Sequence, residues 1–91
     1  MLQFIFEIPD VQSIKDKRKV VRAMKDRLQR RFHTSAAEVD LNDSLSFGQI
    51  GAALVSNSKS FGESVLQKAF ETLQQEVPVR IQDVSIYSEE F

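Results

Sequence analysis

Residues 13–32 constrain the fold most, because their apolar residues recur with the period of a helix. The segments on either side alternate instead in the manner of strands. Indexed at 100° per residue, their apolar members fall within an arc of about 120°: Ile14, Val20, Val21, Met24, Leu28 and Phe32. The hydroxyl of Ser13 is suited to accept a hydrogen bond from an amide of the first turn, and Asp16 favours the positive end of a helix. The segment predicts an amphipathic helix that packs on one side.

The same segment concentrates the positive charge of the chain. It carries nine of the 12 lysine and arginine residues and only two acidic residues, Asp16 and Asp26. Its formal charge of +7 leaves −8 for the other 71 residues, so the net charge of −1 hides an uneven distribution. Such unevenness says more about charged partners than the net charge does.

The remaining pattern supplies four strands and a second helix. Alternating or continuous apolar residues predict strands at residues 1–8, 35–41, 47–56 and 79–86. Ser60 and Glu63 have capping-box spacing for a helix that packs Phe61 with later apolar residues and ends at Val77, before Pro78. The apolar phase shifts in the last strand, which predicts a bulge near Gln82. The third strand has no polar face, which is typical of a strand covered on both sides.

The order strand, helix, strand, strand, helix, strand predicts an α+β fold. It is the βαββαβ pattern of the ferredoxin-like sandwich, a four-stranded antiparallel sheet with two helices on one face. Crossover handedness places the first and third strands in the centre of the sheet. Ninety-one residues are too few for two separate cores, so we expect one domain over residues 1–91.

Composition narrows the compartment and the chemistry. There is no cysteine, which excludes disulfides and thiolate sites. No apolar run approaches the roughly 20 residues that span a bilayer, and the first residues lack the pattern of a signal peptide. These features predict a cytoplasmic protein without membrane attachment.

Two motifs resemble a known family. Residues 13–20, Ser-Ile-Lys-Asp-Lys-Arg-Lys-Val, resemble the S-L-K-E-K-R-x-V opening of the YlxP-like family of small uncharacterised bacterial proteins. Residues 31–39, Arg-Phe-His-Thr-Ser-Ala-Ala-Glu-Val, are similar to its second signature, R-F-N-x-S-x-A-E-V. The resemblance implies the ferredoxin-like fold and no established activity. Because members are often encoded among genes for translation initiation and ribosome maturation, it also implies association with RNA or the ribosome.

The turn at residues 42–46 and its surroundings depart from that family pattern. Asp40 stands where the family usually has glycine, and Leu45 where it often has tryptophan. Phe47 stands where arginine is frequent, and Ser58 where aspartate is common. A function carried by this region in the family would not transfer to this chain.

Catalysis has little support in the sequence. His33, the single histidine, follows a predicted helix end, where capping is the simpler role and general base chemistry the alternative. Three acidic residues could gather round a divalent ion: Glu38, Asp40 and Asp43. Alternation of Glu38 and Asp40 on a strand is more typical of a solvated face. We therefore expect a protein that is not an enzyme and holds no metal, cofactor or small-molecule substrate.

The basic face of the first helix is the predicted RNA-binding site. Its candidate residues cluster opposite the apolar row or at the margins of that cluster: Lys15, Lys19, Arg22, Arg30, Arg18, Lys25 and Arg27. Cations on one face contact phosphates in a mainly sequence-independent way. Lys17 and Arg31 index beside the apolar row and can pack or pair instead. The alternative is a solvated face neutralised by acidic neighbours such as Glu7 or Asp83.

A second function class uses the sheet. If both helices cover one face, Ile5 and one parity of the third strand form an apolar patch on the other face. Apolar patches usually mark protein interfaces. The sequence thus also predicts an interaction module, with a C2 homodimer as its expected form.

Overall fold

The six elements follow in the predicted order. The computed structural model describes residues 1–40 and 44–88. Its elements are β1 (Leu2–Glu7), α1 (Ile14–Phe32), β2 (Ser35–Asp40), β3 (Phe47–Ala53), α2 (Lys59–Glu76) and β4 (Arg80–Ile86). The predicted ferredoxin-like α+β fold is confirmed. Predictions about Leu41, Asn42 and Asp43, and about the acidic tail at 89–91, fall outside the described residues.

The sheet has the order β2-β3-β1-β4, and every neighbouring pair is antiparallel. β1 and β3 are therefore central, as predicted. Phe4 is opposite Ile50 and Phe6 is opposite Ile81, so one parity of the strands forms a continuous apolar surface.

Both helices cover that surface. The inward residues of β1 and β3 pack in one core with the buried rows of the helices: Leu2, Phe4, Phe6, Ile50, Met24, Leu28, Leu66 and Leu73. The prediction that β3 is covered on both sides is wrong. Its outward residues Phe47 and Ala53 are exposed, because both helices lie on the other face. Neither helix in the described ranges is long and apolar enough to cross a membrane.

The ends of α1 follow local chemistry. The amide of Asp16 donates to the Ser13 hydroxyl at 3.2 Å, which confirms the predicted N-cap. At the other end His33 is left-handed, with φ 54°, and its backbone N–H donates to the Leu28 carbonyl. The Thr34 hydroxyl donates to the same oxygen at 2.9 Å. His33 thus closes the helix through its backbone.

The start of α2 differs from the prediction. Its N-cap is Ser58, whose hydroxyl accepts from the amide of Phe61, so the helix begins before the predicted Ser60. Glu63 forms no capping box, because it lies five residues after Ser58 and not three, and its carboxylate accepts a hydrogen bond from the Ser88 hydroxyl at 2.6 Å. Phe61 is 63% exposed and does not pack in the core. Phe61 lies about 120° from the centre of the buried row of α2. Gly62, the next residue, lies near that row in its place.

The predicted bulge in β4 is confirmed. Gln3 is opposite Ser85 and Ile5 is opposite Gln82, so two residues of β4 face one residue of β1. Asp83 has φ 52°, the left-handed conformation that an aspartate tolerates. The bulge restores the inward orientation of Ile86.

Candidate nucleic-acid interface

Residues 15–25 of α1 carry a cluster of cations. Within the described residues, none of its five members forms an ion pair, and all but the half-buried Lys25 are exposed: Lys15, Arg18, Lys19, Arg22 and Lys25. We call this set the cationic cluster. All five belong to the predicted site, and the structure brings them together within three turns of one helix.

The three arginines in the last two turns of α1 are paired with acidic side chains. Arg31 donates to both carboxylate oxygens of Glu76, at 2.8 and 2.7 Å, and Arg27 pairs with Glu76 at 3.2 Å. Arg30 pairs with Asp26 at 2.8 Å on the exposed helix surface. Two predicted candidates, Arg27 and Arg30, therefore have acidic partners that a ligand would have to displace.

Glu76, at the end of α2, joins the two helices by pairing with Arg27 and Arg31 of α1. The hydrogen bonds from Arg31 and then from Arg27 hold the pKa of its carboxyl below the ordinary glutamate value. The two arginines lie on the flank of α1 that faces α2. The cationic cluster lies away from that flank, towards the edge strand β2.

Lys17 and Glu38 form an ion pair beneath α1. The Lys17 side chain is 2% exposed, and its ammonium lies 3.2 Å from Glu38 Oε2 and donates to the Ser44 carbonyl. The prediction that Glu38 and Asp40 mark a solvated face is wrong for Glu38. A register shift between the two residues leaves Asp40 exposed while Glu38 points under the helix.

A groove runs beside the cationic cluster. Its volume is about 330 Å³, and it lies between α1 and β2, lined by Ile14, Lys17, Arg18, Val21, Arg22, Lys25 and Glu38. Ile14 is 46% exposed, so its predicted place in the core is wrong. It has the right angle for the apolar row, but it begins the helix, about one turn before the buried Lys17 and two turns before Val21.

The two acidic candidates for metal binding that the structure describes, Glu38 and Asp40, do not converge. Glu38 is paired with Lys17, Asp40 lies on the other side of a register shift, and Asp43 falls outside the described residues. In residues 1–40 and 44–88, no group of three or more histidine or acidic side chains is placed to hold a metal ion. His33 is exposed.

The chain matches the model of a known protein family. A model described as "Protein of unknown function (DUF503)" matches residues 1–86, from the first strand to the end of β4. The chain belongs to the DUF503 family. No curated protein matches it significantly. The family description names no activity, so the surface of this DUF503 domain is the remaining guide to its function.

The sheet face away from the helices is the second surface of interest. We call it the open face, and its apolar members are Ile5, Ala37, Val39, Phe47 and Ala53. Val39 is 51% exposed and lies over Gly51, where a Cβ atom would come within 3.3 Å of Val39 Cγ1. The patch expected from Ile5 and β3 is thus present and extends to β2.

Lys17 lies within the buried row of α1 and not at its flank as predicted, and the sequence does carry a signal for this burial. Lys17 precedes Val21 by four residues, and Met24 and Leu28 continue the same row at steps of three and four. A lysine on a buried row needs an anion, and Glu38 is the nearest acidic residue that β2 places under the helix. The groove itself had no signal in the sequence, because it depends on how α1 packs against β2.

Proposed function

We propose that this DUF503 protein is a non-catalytic bacterial domain of the YlxP-like group that binds RNA or the ribosome through the cationic cluster. The observation that supports the proposal is the lack of ion pairs in the cluster within the described residues, beside arginines that are paired. Unpaired, exposed cations can neutralise phosphates without first breaking a protein ion pair.

The distribution of acidic residues argues against an ordinary solvated face. Among the described residues, Glu7 pairs with Arg80 rather than with α1, and Glu76 and Asp26 pair with arginines in the last two turns of the helix. The first half keeps its positive field, which steers and retains a polyanion. The resemblance to YlxP-like proteins, often encoded near genes for ribosome maturation, favours RNA as that polyanion.

A paired charge reversal tests the proposal. In a gel-shift assay on ribosomal RNA, we expect the parent to bind at low salt and to weaken steeply as salt rises. Lys19→Glu with Arg22→Glu should lower affinity by roughly tenfold or more, since each lost phosphate contact removes released counterions. Lys59→Glu with Lys68→Glu, on α2, is the control of equal charge change.

Two results would contradict RNA binding by the cluster. One is a parent protein that does not shift RNA at low salt. The other is equal loss in both double variants, which would make net charge rather than position responsible. The folded state of each variant is checked by circular dichroism.

The alternative function is a homodimerisation module that uses the open face. The apolar side chains of β1, β2 and β3 on that face favour it, because a second copy would bury the same patch on both partners. Light scattering at high protein concentration should then give twice the monomer mass, and Val39→Asp should return the monomer mass. A monomeric parent contradicts this alternative and leaves RNA binding untouched.

A further inference from the structure

The groove between α1 and β2 combines a cationic rim with two properties that a phosphate-binding surface does not need. It is concave, its rim carries Arg18, Arg22 and Lys25, and its wall includes the exposed apolar side chain of Ile14. Phosphates need only the cations. The apolar wall therefore needs a separate explanation.

The charges in the groove are arranged in layers. Arg18, Arg22 and Lys25 follow one another at steps of four and three, so they form one row along the rim. The Glu38 carboxylate lies below them and is paired with the buried Lys17. An anionic group is attracted to the rim and repelled from the floor, whereas a neutral ring with hydrogen-bond donors is compatible with the floor.

The size of the groove limits its occupant. About 330 Å³ lies at the lower end of small-molecule sites, so the groove admits one ring system and not a helix. Bases in a duplex stay stacked and paired, and the duplex presents mainly phosphates and sugars to a protein. A single strand can turn a base out of the stack and place it against a side chain.

Resting on the proposed RNA binding, we propose that the groove holds one unstacked nucleotide of a single-stranded RNA. Its base lies against Ile14 and Val21, and its phosphates lie on the rim formed by Arg18, Arg22 and Lys25. The guanidinium planes of the two arginines provide further stacking surface for the base. The domain consequently prefers single-stranded to duplex RNA, which charge alone does not predict.

Fluorescence anisotropy with a short unstructured RNA strand and with its duplex tests this preference. The parent should bind the single strand several-fold more tightly than the duplex. Ile14→Ala should weaken single-strand binding by roughly three- to tenfold, since it removes apolar contact surface, and should leave duplex binding unchanged. Val55→Ala, at a 98% exposed aliphatic residue outside the groove, is the matched control and should change neither affinity.

The outcomes separate this inference from the proposed function. Equal affinity for strand and duplex, or equal weakening of both by Ile14→Ala, overturns the groove assignment while RNA binding by the cluster stands. A parent that binds neither RNA at low salt overturns both. Alanine is a strong helix former, so unfolding of Ile14→Ala is not expected, and its melting curve verifies this.

Discussion

Replacing Lys17 by methionine should lower the free energy of unfolding, because the Lys17 ammonium is buried and paired. The change keeps the length of the buried stem and removes the ammonium, which loses the Glu38 pair and the hydrogen bond to the Ser44 carbonyl. Breaking a buried ion pair from one side costs about 3–5 kcal/mol. Glu38 is 21% exposed, and water access lowers the expected loss to about 2–3 kcal/mol.

Urea denaturation and thermal melting measure this loss. For a domain of this size, 2–3 kcal/mol corresponds to a fall in Tm of roughly 10–20 °C. Glu38→Leu should also lower the stability, because it removes the carboxylate that lies 3.2 Å from the buried ammonium. The double variant should lie within about 1 kcal/mol of the parent, since replacing both charges removes their desolvation penalty. Additive losses in the double variant, or a Lys17→Met loss below about 0.5 kcal/mol, would refute the buried pair.

Two further predictions concern the core and the helix–helix contact. A Cβ atom at Gly48 would clash with Cζ of the fully buried Phe6, so Gly48→Ala should cost about 1–3 kcal/mol in urea denaturation, partly recovered by adding Phe6→Leu. A loss below about 0.5 kcal/mol would contradict the close approach. The Glu76 pKa is depressed in the folded state, so its stabilisation is full above the unfolded pKa and is lost as pH falls through the folded value. Arg31→Gln should raise the Glu76 pKa in an NMR titration, and an unchanged value would count against the pair.

The topology was predictable because period-two and period-3.6 patterns alternate cleanly along the chain. The Ser13 cap, the end of α2 at Val77 and the β4 bulge follow from chemistry within a few residues of each site. The start of α2 was less determined, because Ser58 and Ser60 are both competent caps. The amide of Ser58 donates to the Ser56 hydroxyl at 3.1 Å, and this hydrogen bond accompanies capping at Ser58 instead of Ser60.

The candidate site was predictable in composition and not in pairing. A helical wheel gives the angle of each basic residue, but it cannot show that Glu76 arrives from α2 to neutralise Arg27 and Arg31. The exposure of Ile14 likewise depends on where the core ends along the α1 axis. Partners that are distant in sequence decided which cations remain available.

The unpaired state of the cationic cluster also affects the helix that carries it. Like charges at Lys15 and Lys19, and at Arg18 and Arg22, repel at i,i+4 spacing, and they lie towards the positive end of the helix dipole. This repulsion therefore destabilises the first half of α1, and any screening anion reduces it. A polyanion bound there as proposed would stabilise the folded helix by mass action, and the protein would then resist unfolding most when its cations are occupied.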